Sequence, residues 1–197
     1  MNVSTVSHTG FQRRTVQSVF LRALMAALAL VLIASTAVHA ATATVSTGTL
    51  TEEEVAGLVF MRQEEKLAHD VYIALGEQWG LPVFRNIAGA ESNHEAQIAV
   101  LLERYGIEDP AAGLAVGEFA DADLQLLYNE LLAKGGLSLR DALEVGVTIE
   151  ETDIADLVKR KAELSQTDIR TVYARLERGS QNHLRAFNRL LQRFAAG

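Results

Sequence analysis

Ile87-Ala88-Gly89-Ala90-Glu91-Ser92-Asn93-His94-Glu95-Ala96-Gln97-Ile98-Ala99-Val100-Leu101 places an acid and an imidazole where a helix core wants hydrocarbon. Counted in alternating steps of three and four residues, which keep one helix face turned to a partner, the stripe runs Ile87, Glu91, His94, Ile98, Leu101, Tyr105. Glu91 and His94 sit one turn apart on it, as a Glu-x-x-His pair. Three further stretches read the same way. The first helix runs Leu58, Met61, Glu65, Ala68, Tyr72, Leu75; the third runs Leu143, Val147, Glu150, Ile154, Leu157. The fourth runs Ile169, Tyr173, Leu176, Ser180, His183, Phe187, Leu190, Phe194.

Burying a lone ionised carboxylate costs several kcal/mol or more, so acids are seldom fully buried without a partner. Three on core stripes, with two imidazoles, need a shared one. A divalent cation supplies it, because carboxylate oxygens and imidazole nitrogens together suit iron, manganese or zinc. Four-helix bundles solve this with one Glu from each of two helices and Glu-x-x-His from each of the other two. Here Glu65, Glu91, His94, Glu150 and His183 follow that layout in order, with Ser180 standing where a second bridging Glu belongs. Three Glu leave one positive charge of two divalent ions uncompensated. Hydroxide balances it, or Asp153, one turn from Glu150, reaches inward, or a single ion binds. A lone acid on a stripe more often snorkels to water. Glu64, Glu151 and Glu177 are adjacent candidates expected on the solvated surface, and His69 is expected at the surface or behind a ligand.

Residues 1–40 contain no acid, and Arg13, Arg14 and Arg22 precede an apolar run from Ala23 to Ala37. Val38-His39-Ala40 is a small-residue cleavage site, so 1–40 read as an export signal and 41–50 as a flexible tether. Arg13-Arg14 raises a twin-arginine route, which Gln17 interrupts. The apolar run is too short for a good membrane span, so no stable insertion is expected after cleavage and the product should be periplasmic or extracellular. All 25 acids then face 15 Lys and Arg in residues 41–197. Such an acidic chain argues against nucleic acid as a partner. There is no cysteine, which excludes disulfides, thiolate clusters and a Cys nucleophile. Metal ions are the partners the residues point to, and a homo-oligomer is compatible with them.

Punctuation supports one all-α domain over 51–197. Thr51-Glu52-Glu53-Glu54 is a capping box opening the first helix, and Gly80-Leu81-Pro82 ends it and starts the second. Gly106 closes the second. From Ile107 to Gly136 a loop and a short amphipathic segment, with Leu124, Leu127, Tyr128 and Leu131, form a crossover with its own helix. Ser138 caps the third helix, which continues to about Leu164, and Thr167-Asp168 opens the fourth. One long link between helices two and three is the topology of ferritin-like four-helix bundles.

The runs Glu64-Glu65-Lys66-Leu67-Ala68-His69-Asp70-Val71-Tyr72, Ala90-Glu91-Ser92-Asn93-His94, Ile149-Glu150-Glu151-Thr152-Asp153-Ile154-Ala155-Asp156-Leu157 and Gly179-Ser180-Gln181-Asn182-His183-Leu184-Arg185-Ala186-Phe187 resemble the domain of unknown function 2202 (DUF2202) family. The resemblance spans nearly all of the chain after residue 40. That family is grouped with the ferritin-like proteins, which implies a four-helix bundle often holding two metal ions and leaves its activity open. The first run is also similar to helix one of bacterioferritins, where a ligand Glu is followed seven residues later by a Tyr, here Glu65 and Tyr72. Two classes of function stay open. One is a metal protein with iron or manganese, one or two ions, reacting with oxygen or peroxide, with Tyr72 or Tyr173 as hydrogen-bond donor or redox group. The other is a non-catalytic bundle, an iron-binding or interaction module whose core polar residues are structural.

Overall fold

The structure is a computed structural model and describes residues 49–195. The expected signal segment and most of the tether lie outside the described residues. Five helices and no strand are found among those described: α1 (Glu52–Trp79), α2 (Pro82–Tyr105), α3 (Ala122–Gly135), α4 (Leu139–Glu163) and α5 (Thr167–Ala195).

Local signals set the boundaries. Glu54 N–H donates to Thr51 Oγ1 at 3.2 Å and Thr51 N–H to Glu54 Oε2 at 2.9 Å, a reciprocal cap on otherwise orphaned amides. Gly80 (φ 65°) and Gly106 (φ 68°) end α1 and α2 in the left-handed conformation, and Pro82 opens α2. Ser138 Oγ accepts from Asp141 N–H at the start of α4. The two-residue link from α1 to α2 turns the chain straight back, so those helices lie side by side, as do α4 and α5. The two pairs close on each other through α2 with α5 and α1 with α4, while α3 covers α1 and α4.

Along α1 this enclosure is nearly complete. Its buried set runs almost without break from Phe60 to Tyr72. The crossover before α3 is fastened to it by polar contacts. Arg62 pairs with Glu95 at 2.6 Å and with Asp109 at 3.1 Å. Lys66 pairs with Asp70, donates to Ala115 O at 2.9 Å and lies 4.8 Å from the Phe119 ring centroid. Gly117 N–H donates to Asp70 Oδ2 at 2.9 Å. Buried charges held by several hydrogen bonds fix a geometry more surely than they add stability.

Four expected positions need correction. In α4 the buried line passes through Gly146 and Asp153, leaving Val147 and Ile154 half-buried, because the face is shared between α1 and α5 and sits one residue off the counted phase. Phe194 is 48% exposed, in the last turn of α5. Glu64, expected in water, is buried: α1 has two covered faces and only one was counted.

Tyr72, Phe84 and Phe187 form an aromatic layer across α1, α2 and α5, with ring centroids 5.3 to 6.3 Å apart. Gly146 on α4 makes room for it, since a Cβ there would lie 2.7 Å from the Phe187 ring. Gly146→Ala should therefore lower stability by about 1–3 kcal/mol, the usual cost of overpacking a core. Urea unfolding measures this, and an unchanged midpoint would place the ring elsewhere.

Candidate metal centre

Four of the five helices contribute to one buried polar cluster. Glu65 comes from α1, Glu91 and His94 from α2, Glu150 from α4 and His183 from α5, and all five are buried. The 3.6-residue period puts Glu91 and His94 on adjacent turns of one face, so both reach the same centre from a single helix.

Glu91 stands in the middle. Its Oε2 lies 2.7 Å from His94 Nδ1 and its Oε1 lies 2.8 Å from His183 Nδ1. Glu65 Oε2 approaches His94 Nδ1 at 3.2 Å, and Glu150 Oε2 approaches His183 Nδ1 at 3.6 Å. The result is two triads, Glu65–Glu91–His94 and Glu91–Glu150–His183, each with its donor atoms within 4.8 Å of one another. Both share Glu91. The two imidazoles stack with centroids 5.7 Å apart. His183 Nδ1 has no hydrogen-bond partner despite its short approach to Glu91, and Glu65 Oε1 has none either. Lone pairs converging without hydrogen-bond alignment are what a cation between them would use, and the N/O donor set fits a divalent transition metal.

Without an ion the cluster holds its charge by protons. Burial alone would lower the pKa of His94, but Glu65 and Glu91 outweigh it and raise it to about 11. For His183 burial again opposes, and Glu150 and Glu91 raise it to about 10. Burial and the charge of Glu91 push Glu65 and Glu150 upward. Glu91, although burial resists it, is held low by both histidines. The centre is then an anionic Glu91 clasped between two imidazolium rings.

Surrounding groups set the orientation. Tyr72 donates to Glu150 Oε1 at 2.7 Å, leaving Oε2 on the His183 side. Burial, with the charges of Glu150 and Glu91, raises the pKa of Tyr72 well above its ordinary value, so it remains a donor. Gly179 is a site residue that the stripe count missed: a Cβ there would lie 2.6 Å from His94 Nε2, so only glycine lets the ring lie against α5. Its signal was a glycine inside a helix, where propensity disfavours it.

The remaining candidates fall elsewhere. Asp153 is buried but outside both triads, with neither oxygen hydrogen-bonded. Ser180 is buried and donates to Leu176 O at 3.0 Å, spending its proton on its own helix. His69 is half-buried between Asp70 (2.8 Å) and Glu95 (3.6 Å), neither of which belongs to the two triads. Glu177 pairs with Lys161 near the surface, and Glu151 is half-buried.

The chain is 46% identical over 147 residues, 75% of its length and 80% of the relative's, to the uncharacterized protein MJ0754 of Methanocaldococcus jannaschii. It is also similar to the crystal structure of hypothetical protein MJ0754 from Methanococcus jannaschii, with a TM-score of 0.74 and 44% identity, covering 78% of this chain and 87% of that one. The model of the uncharacterized protein domain DUF2202 matches residues 54–195, spanning all four helices that supply the cluster. The chain belongs to the DUF2202 family.

Proposed function

We propose that this chain is an exported, ferritin-like four-helix bundle that holds two divalent transition-metal ions, iron or manganese, about the shared carboxylate of Glu91. The observation that carries the reading is the pair of triads hinged on that one residue. Its support in the fold is the single long link between α2 and α4, with α3 laid over the outside. Glu65 and His94 would hold one ion, Glu150 and His183 the other, and Glu91 both.

Iron or manganese bound there supplies one-electron chemistry toward oxygen or peroxide. The chain's own residues do the rest. Tyr72 fixes Glu150, and the Tyr72–Phe84–Phe187 layer keeps water from that side of the site. Gly179 gives His94 its place. With Ser180 engaged on Leu176 O, that position adds no carboxylate, so the centre carries less negative charge than a four-Glu site and favours an added anion. A second reading is favoured by one observation: the imidazolium–carboxylate–imidazolium clasp satisfies Glu91 without any metal, as a structural network would.

Glu91→Gln separates the two, since it keeps the shape and removes the shared charge. The metal reading expects chelator to lower the melting temperature of the parent, and the variant to lose nearly all bound metal while its metal-free form melts no lower than the metal-free parent. The structural network expects the reverse: a chelator-insensitive parent, and a variant weaker by roughly 1–3 kcal/mol for a charged hydrogen bond lost. Thermal melts of both proteins with and without chelator decide it.

The proton inventory gives a further test. His94 and His183, with folded pKa values of about 11 and 10, are raised above the ordinary 6.5, and Glu65 and Glu150 are raised as well. Stability from such groups is present below their unfolded pKa and lost as pH rises toward the folded value. The metal-free protein should accordingly melt higher at pH 6 than at pH 9, whereas metal affinity should rise with pH as the ligands shed protons. A metal-free melting temperature that climbs over that range would contradict the cluster's protonation.

Export is tested by fractionation. The charge order of residues 1–40 supports a mature N-terminus near Ala41, found beyond the inner membrane. No helix among the described residues is long and apolar enough to cross a membrane. Full-length protein recovered from the cytoplasm would reject this part of the proposal.

A further inference from the structure

The outer face of α5 carries a row of cations that the metal centre does not use. Arg175, Arg178, Arg185, Arg189 and Arg193 are all exposed. At about 100° per residue they fall within a sector of about 80°, and at about 1.5 Å per residue they extend along about 27 Å of helix. Cations on the other helices are largely matched: Arg62, Lys66, Arg104, Lys134, Arg140 and Lys161 each pair with an acid. Among the described residues no acid pairs with the five on this row. Arg185 donates to Asn182, a neutral residue of the same sector. The two acids of α5 are engaged with other helices, Asp168 with Arg104 at 2.8 Å and Glu177 with Lys161.

The surroundings keep acids away from the row. α5 packs on α2 and α4 and on neither α1 nor α3. The exposed residues of α2 from Asn86 to Val100 are Asn86, Gly89, Ser92, Asn93, Ala96 and Val100, none of them charged. Glu91 is buried there, and Glu95 is held by Arg62 at 2.6 Å. On α4 the one exposed acid is Glu163, in its last turn. Exposed Glu52, Glu53, Glu77, Glu108, Glu118 and Glu130 lie on α1, α3 and the crossover. Packed helices stand about 8–10 Å apart, so acids on helices that do not touch α5 are set back by more than the roughly 8 Å over which physiological salt screens charge. A chain with 25 acids against 18 Lys and Arg thus turns one basic side outward.

Like charges three or four residues apart weaken a helix. Arg175 and Arg178, Arg185 and Arg189, and Arg189 and Arg193 stand at those spacings, so the row carries a cost that nothing inside the chain relieves. An anionic partner relieves it. All five cations are arginine, whose guanidinium grips phosphate through two parallel N–H donors. Geometry decides which phosphates. A major groove about 12 Å wide admits a single free helix, whereas α5 is flanked by α2 and α4 and presents the broad side of a bundle. That side meets a plane. We propose that the outer face of α5 lies on the surface of an anionic phospholipid bilayer, held there by its five arginines. Phe194, the exposed large hydrophobic of α5, is about 100° around the helix from the nearest of them, so the attachment is electrostatic and peripheral. It does not depend on the metal centre.

Sedimentation with vesicles tests this, using the full chain as purified and vesicles of two parts phosphatidylcholine to one part phosphatidylglycerol. The parent is compared with Arg185→Gln, with a triple variant carrying Arg178→Gln, Arg185→Gln and Arg189→Gln, and with Arg140→Gln on α4 as a control. All of these positions are exposed. Every protein carries the same N-terminal segment, so a difference between them reads the substituted residues alone. With about a fivefold loss for each arginine near the surface, the triple variant should bind roughly a hundredfold more weakly than the parent. Arg140→Gln should bind as the parent does. Raising salt, or leaving out phosphatidylglycerol, should bring the parent down to the level of the triple variant. Far-UV circular dichroism checks the fold, and where the triple variant departs from the parent the fivefold loss in Arg185→Gln decides. Equal binding by the parent and the folded variants at low salt overturns the proposal, and so does a parent that prefers a duplex DNA oligonucleotide to the mixed vesicles.

Discussion

The interaction on which the structure turns is the grip of His94 and His183 on the two oxygens of Glu91. It joins α2 to α5 across the middle of the molecule, and Glu65 and Glu150 extend it to α1 and α4. A hydrophobic core of equal volume would hold four helices together with less difficulty, because each charge taken from water costs several kcal/mol before any partner repays it. The neighbouring layers supply the compensating stability. On one side lie Tyr72, Phe84 and Phe187; on the other lie Leu58, Met61, Ile98, Leu157 and Leu176, all fully buried. A polar centre held between two dry layers is rigid in position and adjustable in protonation.

The two halves of the centre are not equivalent. On α2 the acid and imidazole come from one helix one turn apart, while on α5 the corresponding acid is Ser180, whose hydroxyl is tied to Leu176 O. Asp153 is buried and lies outside both triads. The tyrosines divide in the same way: Tyr72 is bound to Glu150, whereas the Tyr173 hydroxyl has no partner.

Most of the helix boundaries and the five central residues were legible from the sequence because their signals are local. Thr51, Gly80, Pro82, Gly106 and Ser138 each act within one turn of where they stand. A charged residue on an apolar stripe is visible without knowing what covers the stripe. What was not legible depends on neighbours. Glu64 reads as surface until α4 closes over the second face of α1. Gly179 gave a faint sign, a poor helix former in a helix, whose meaning needs the His94 ring to explain it. The pairs Arg62–Asp109 and Lys66–Ala115, which fasten the crossover, join residues more than forty positions apart and leave no periodic trace.

The most direct measurement of the central claim is anomalous diffraction from crystals of the manganese-loaded protein. Two ions flanking Glu91, one beside His94 and Glu65 and the other beside His183 and Glu150, at bonding distances of about 2 Å from nitrogen and oxygen, are the result this account predicts. A manganese-treated crystal with no anomalous peak in the core, and with both imidazoles still clasping Glu91, would contradict it.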